Sequence, residues 1–212
     1  MTVSEAPKIP ATAKGAATRA FLLRTAAQVF AERGYAATTQ NDLIAASGLT
    51  KGAFYFYFRS KSALAMAVLH DQQTRWLARI GERISTAGTA ADQLRALLPA
   101  MLELFSSEPG AWSVTRLTKE LSTDPEVAEE VCKPMAEWVE FVADLIRRGQ
   151  ADGDMRTGLD PASVAVVLVG AFDGLKSLTD ILEPTERAAG RFTERAQTLL
   201  AMVELALMHN PA

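Results

Sequence analysis

Apolar residues along the chain recur at spacings of three and four and nowhere alternate with polar ones at a period of two, so the pattern predicts helices and no sheet. A first stripe, Phe21, Leu22, Thr25, Val29 and Phe30, shares one face of a helix opening at Thr18 and ending at Gly34. Two short helices follow, one opening at Thr39 with Leu43 and Ile44 turned inward, the other at Thr50 with Phe54 and Phe58 four apart on its buried face. Gly48 supplies the turn between them and Leu49 plugs the angle, which makes the pair a helix-turn-helix. Ser60 then caps a long helix through Leu64, Leu69 and Trp76 to Ile84.

Further helices are predicted over 90–105 with Pro99 inside, over 112–121, and from Asp124-Pro125 to about Arg148 with Pro134 inside. Asp160-Pro161 opens another, with Val164, Val167, Leu168, Ala171, Leu175 and Leu178 in one stripe and Val166, Val169 and Phe172 in a second. A helix apolar on two sides needs two partners. Pro184 starts the last, with Phe192, Leu199, Leu200, Val203 and Leu207 in register. Residues 1–17, with Pro7, Pro10, Gly15 and no periodic apolar pattern, predict a disordered arm. The expected architecture is all-α: an N-terminal helix-turn-helix domain over 18–62 joined to a helical body over 63–212.

Composition changes the picture only a little. A chain of 212 residues, 49% hydrophobic, can bury a real core. The single Cys132 excludes an internal disulfide framework, and the longest apolar run, Val164 to Phe172, is well short of the roughly 20 residues of a membrane span. A soluble, cytoplasmic protein with no membrane association is expected. The net charge of −3 argues against nucleic acid until its distribution is considered. Residues 1–62 hold eight basic side chains against three acidic ones, leaving the excess of acid to the remainder. A basic head on an acidic body is the electrostatic footprint of a DNA-binding module.

The chemistry of the second short helix supports that reading. Its outward face carries Lys51, Gly52, Ala53, Tyr55, Phe56 and Tyr57, where a solvated surface would carry Lys, Glu and Gln. Lys and Tyr reach phosphate oxygens, Gly and Ala admit close approach to base edges, and an apolar ring contacts thymine methyl groups. Thr39 and Gln40 open the preceding helix beside this face, Thr50 caps it, and Lys61 at the start of the following helix points an ammonium at a phosphate. These ten residues are the candidate DNA contacts.

Together these residues resemble the DNA-binding domain of the tetracycline-repressor (TetR) family of bacterial regulators. The resemblance rests on Val29-Phe30, Gly34-Tyr35, Thr38-Thr39, Gly48-Leu49-Thr50-Lys51-Gly52, Phe54-Tyr55 with Phe58, and Ser60-Lys61, in order and at family spacing. The run Thr50 to Phe58 and the pair Leu43-Ile44 are most similar to the γ-butyrolactone autoregulator receptors of actinomycetes, which typically carry His at the position of Tyr57. Membership implies a homodimer formed by the last two helices, about 161–183 and 185–208, and a body that binds a small effector.

Helices bent by Pro99 and Pro134 and lined by bulky apolar side chains make room for a small lipophilic molecule. Leu98, Met101, Leu102, Phe105, Trp112, Val114, Leu117, Met135, Trp138, Val142 and Phe172 are available to line it, and Thr115 is a polar candidate. Pro134 and Trp138 resemble the proline and pocket tryptophan of the autoregulator receptors, so Trp138 is the expected ligand contact, through its indole N–H. The segment Val169 to Gly174 resembles the same subgroup, with Gly170 and Gly174 admitting close helix approach. The resemblance implies a γ-butyrolactone or antibiotic-related effector.

An enzyme is not indicated. There is no Gly-rich phosphate loop, no Ser-His-Asp arrangement and no metal-ligand spacing around His70 and His209. No cofactor is expected. The competing expectation is a DNA-binding regulator without a ligand, structural or redox-sensing through Cys132, although a small buried hydrophobe describes that residue better.

Overall fold

The computed structural model describes residues 12–107, 111–183 and 188–208, without the side chains of 106, 107, 111–115, 188 and 189. Among the described residues nine helices follow in order: α1 Ala13–Arg33, α2 Gln40–Ser47, α3 Lys51–Tyr57, α4 Lys61–Ile84, α5 Ala90–Ser107, α6 Ala111–Leu121, α7 Ala128–Ala151, α8 Pro161–Leu182 and α9 Ala188–Leu207. An isolated bridge between Met155 and Met208 is the only extended pairing among them. The all-α expectation holds.

α1 starts earlier than Thr18. The Thr12 hydroxyl accepts the Gly15 N–H at 3.1 Å, and the alanine-rich run that follows propagates the helix at little cost. Residues 12–17, expected in a disordered arm, therefore belong to α1 or its cap, while residues 1–11 lie outside the described residues. The buried stripe is also rotated from the expected one. Leu22, Leu23, Ala26, Val29 and Phe30 are buried, whereas Phe21 is 42% exposed.

The described residues fall into two compact units, 12–75 with 111–133, and 76–107 with 134–208. The expected boundary after residue 62 lies inside the first unit, because that unit's core is not closed by α1 to α3 alone. Leu117 and Leu121 of α6, Val127, and Val131 of α7 join Phe30, Tyr35, Leu43, Phe54, Phe58, Leu64 and Leu69 in one apolar cluster. α6 packs on α1 beside Gly34, which has φ 82° and ψ 160°, a region open only to glycine. A Cβ there would stand 2.9 Å from Arg116 Nη2 and 3.3 Å from Glu120 Oε1.

In the second unit α9 packs on both α5 and α8. Arg195 of α9 donates to the buried Thr179 hydroxyl at 2.9 Å and to Glu183 at 2.6 Å, which fixes α9 against the end of α8. Asp160 caps α8 as expected, accepting the Ser163 N–H at 2.8 Å. α7 begins later than Asp124-Pro125 suggested: the Asp124 carbonyl accepts from Val127 and Ala128 in a turn, and regular helix starts at Ala128.

One expectation about α8 is corrected. Although its apolar run 164–172 is short, the 22-residue helix as a whole is long enough, and apolar enough in mean hydropathy, to cross a membrane by length and composition, and only 17% of its most apolar window is buried. Val166, Val167, Leu178, Ile181 and Leu182 stand exposed on it, as do Met202 and Leu205 on α9. Gly170 and Gly174 have no neighbour within 4 Å of where a Cβ would sit, so no helix among the described residues uses them for close approach.

Candidate nucleic-acid interface and apolar cavity

The helix-turn-helix is assembled by local chemistry. The Thr39 hydroxyl accepts the Asp42 N–H at 3.2 Å while the Asp42 carboxylate accepts the Thr39 N–H at 2.8 Å, a reciprocal capping box that opens α2. The Thr39 and backbone hydrogen bonds hold the Asp42 carboxyl below its usual range, with Arg33 at 3.4 Å adding to them. Gly48 ends α2 in the left-handed region at φ 64°, and Thr50 caps α3 by accepting the Ala53 N–H at 3.2 Å. Phe54 and Phe58 are buried as expected, and their burial turns the opposite side of α3 outward.

On that side Lys51 and Gly52 are exposed, Ala53 is half-buried, and Tyr55 and Phe56 are 39% and 58% exposed. Thr39 and Thr50 are exposed beside them. Tyr57 departs from the expectation of three outward rings: it packs partly into the core, edge-on to Phe56 at 5.1 Å. Seven residues make two turns, so a ring at the last position swings back toward the Phe54 side. Gln40 is half-buried, and its Nε2 is enclosed without a hydrogen-bond partner.

Lys61 does not aim its ammonium outward. Its Nζ donates to the Tyr35 carbonyl at 3.0 Å and lies 4.1 Å from the centre of the Tyr35 ring. Tyr35 is the hub of a polar latch: its hydroxyl donates to Asp124 at 2.6 Å, and its N–H and that of Ala36 donate to Glu120 at 2.6 and 3.0 Å. Arg116 donates to the Phe30 carbonyl at 3.0 Å and Ser62 to Glu126 at 2.9 Å. Burial, then the Asp124 hydrogen bond, push the Tyr35 hydroxyl far above its ordinary pKa, and the same hydrogen bond holds the Asp124 carboxyl low. The latch ties the loop before α2 and the start of α4 to α6 and the turn before α7. Sequence reasoning missed it because its partners are 26 to 89 positions apart.

The second unit contains an apolar cavity, partly open to solvent. α5 contributes Leu94, Leu97, Leu98 and Met101, α7 Trp138 and Val142, α8 Leu168, Val169, Phe172 and Asp173, and α9 Leu199, Leu200 and Val203. Met101, Trp138, Val142 and Phe172 were expected there and line it. Phe105 and Met135 do not: Phe105 stands behind the wall, 5.6 Å from Phe172 and 6.3 Å from Trp76. The side chains of Trp112 and Thr115 lie outside the described residues. Trp76, 4.4 Å from Trp138 and edge-on to it, has a buried indole N–H with no hydrogen-bond partner.

Asp173 was not among the expected site residues. Among the described residues it is the only charged side chain on the cavity wall; it is half-buried, no described hydrogen bond or ion pair reaches it, and its partial burial pushes its carboxyl above the usual range. A signal was available: it lies four residues after Val169 and next to Phe172, within the second apolar stripe of α8. Cys132, expected as a small buried hydrophobe, is exposed. No group of three or more potential metal ligands occurs among the described residues.

A basic helix-turn-helix closed by α4, α6 and the start of α7, in a chain whose remaining helices enclose an apolar cavity, defines a bacterial DNA-binding regulator. The chain belongs to the TetR family: the model for bacterial regulatory proteins of that family matches residues 22–68, and that for the tetracyclin repressor-like C-terminal domain matches 84–174. It is accordingly a transcription factor and not an enzyme. TylP, a TetR regulator from Streptomyces fradiae, is 32% identical in sequence and superposes with a TM-score of 0.70, covering 92% of this chain and 89% of that one. The repressor DhaR of Mycobacterium sp. strain GP1 is 28% identical over 74% of this chain and 79% of its own length. The A-factor receptor protein of Streptomyces griseus is 26% identical over 75% of this chain, an alignment that spans about half, 54%, of the receptor.

Proposed function

We propose that the chain is a repressor that binds a palindromic operator as a homodimer in the cytoplasm and is released from it by a small lipophilic effector. The observation that carries this reading is the course of α7. Near its start Val131 sits in the core that supports α3, and beyond Pro134 the same helix presents Trp138 and Val142 to the cavity. A ligand that favours one position of α7 therefore acts on a helix that is part of the DNA-binding unit's own core. It needs only to bind the non-DNA arrangement more tightly than the DNA arrangement, and that difference is its whole leverage.

Thr39, Gln40, Thr50, Lys51, Gly52, Ala53, Tyr55, Phe56 and Tyr57 form the surface offered to the major groove, and Lys61 serves it by bracing Tyr35. A single such head binds weakly. Two of them about 34 Å apart read successive major grooves, which calls for a dimer. The exposed apolar residues of α8 and α9, Val166, Val167, Leu178, Ile181, Leu182, Met202 and Leu205, suit a self-complementary interface, and that explains a long apolar helix left largely uncovered. Likeness to the A-factor receptor supports a γ-butyrolactone or antibiotic-related effector.

An operator selected from random duplexes provides the test. Lys51→Ala is expected to weaken binding in a gel shift by roughly tenfold with the dimer intact. Ile181→Glu is expected to give a monomer by sedimentation and to abolish specific binding. Undiminished affinity in the first, or a stable dimer in the second, removes the corresponding part of the assignment.

A further inference from the structure

Asp173 presents a problem that the fold does not solve. Its carboxylate lines a space otherwise walled by leucine, valine, methionine, tryptophan and phenylalanine, and α5, α7 and α9 bring no titratable side chain to that wall. The lysine three residues on, Lys176, pairs with Asp180 instead. A carboxylate in apolar surroundings keeps whatever water reaches it through the open side, and a ligand filling the cavity displaces that water. A neutral molecule would then leave the charge without solvent or partner, and an anion would be repelled. A cation would remove the deficit.

The aromatic walls favour the same kind of molecule. Trp138 is stacked on Phe141 at 5.5 Å and met edge-on by Trp76, while Phe172 is met edge-on by Phe192 at 5.3 Å. Two braced ring systems beside one carboxylate give a positively charged nitrogen both an opposite charge and π faces. We infer that the cavity selects a lipophilic cation, a molecule with a protonated amine that pairs with Asp173 and an apolar body that lies against Trp138 and Phe172. This inference rests on the reading of the cavity as the effector site, and it narrows that site to the basic members of the antibiotic-related class, away from neutral lactones.

The test uses four probes of comparable length, octylamine, 1-octanol, octanoate and γ-octalactone, added to the full-length protein and followed by tryptophan fluorescence. Octylamine is expected to bind at least about tenfold more tightly than 1-octanol, the value of one charge-assisted hydrogen bond, with octanoate weakest. In Asp173→Asn the amine is expected to fall to within about twofold of the alcohol. Asp173→Leu is expected to behave alike and serves if the amide variant does not fold. Equal binding of amine and alcohol by the native protein, lactone binding as tight as the amine, or a preference that survives both substitutions overturns the inference while leaving the cavity an effector site. Failure of all four probes to bind overturns the cavity reading as well.

Discussion

The latch of the DNA-binding unit and the cavity of the other unit treat their polar groups in opposite ways. In the DNA-binding unit the latch around Tyr35 gives partners to side chains and backbone alike, with Glu120, Asp124, Lys61 and Arg116 each bonded across 26 to 89 positions of sequence. Around the cavity two groups lack a protein partner, the half-buried Asp173 carboxylate and the enclosed Trp76 indole N–H, while Gln40 Nε2 of α2 is the one such enclosed atom described in the DNA-binding unit. Satisfied polar networks over-determine a single arrangement, whereas unsatisfied groups in an apolar space lower their free energy when something else arrives. The contrast suits the two tasks proposed for the chain: one surface keeps its shape to read a groove, and one interior adapts to a small molecule.

The largest break in this contrast is expected at Gly34. An alanine there must adopt φ near 82° with ψ near 160° and bring its Cβ against Arg116 and Glu120, the side chains that anchor α6 to the latch. Gly34→Ala is expected to cost about 2–3 kcal/mol, read as a fall of roughly 5–10 °C in thermal midpoint. Loss of operator affinity is expected to accompany it. A variant with native stability would mean that the backbone relaxes there and that α6 is not held by this turn.

A smaller effect is expected from Tyr35→Phe, which removes the hydroxyl donated to Asp124 and leaves the ring under Lys61. Because Asp124 is only half-buried, water compensates part of the loss, and about 1 kcal/mol is expected. The sign with pH follows from the lowered Asp124 pKa. The bond stabilises the fold above the ordinary carboxylate range and its contribution is lost as pH falls through the depressed value, so the difference between variant and native protein is expected to shrink in acid. A gap in denaturant midpoint that stays constant down to pH 2 would assign the effect to packing instead.

The helix-turn-helix was legible because its determinants are local: hydroxyls at 39 and 50, a glycine at 48, and two phenylalanines four apart each act within one turn. What was not legible depends on residues far apart in sequence. Lys61 reads as an outward clamp from its place at a helix start, and only the folded loop brings the Tyr35 carbonyl within its reach. α6 looks like part of the body until Gly34 admits its side chains. The cavity lies between these cases. Trp138 and Phe172 could be placed there by periodicity and resemblance, but a lone aspartate in a helix reads by default as a solvated position, and only the folded arrangement of α5, α7, α8 and α9 puts it on the cavity wall.

The finest test of the contrast is the cost that Asp173 imposes without a ligand. Its raised carboxyl pKa means that the folded state binds a proton more readily than the unfolded one, so the group lowers stability above its folded pKa and has no such effect below the ordinary carboxylate value near 4. Asp173→Asn is therefore expected to raise the thermal midpoint by roughly 1–3 °C at pH 7–8, with the gain fading as the pH approaches about 4. The same substitution abolishes the preference for the amine, so ligand-free stability and cation selectivity are expected to move in opposite directions. A midpoint that falls at neutral pH would show that the native carboxylate is already satisfied, and the distinction drawn between the two units would fail at its most specific point.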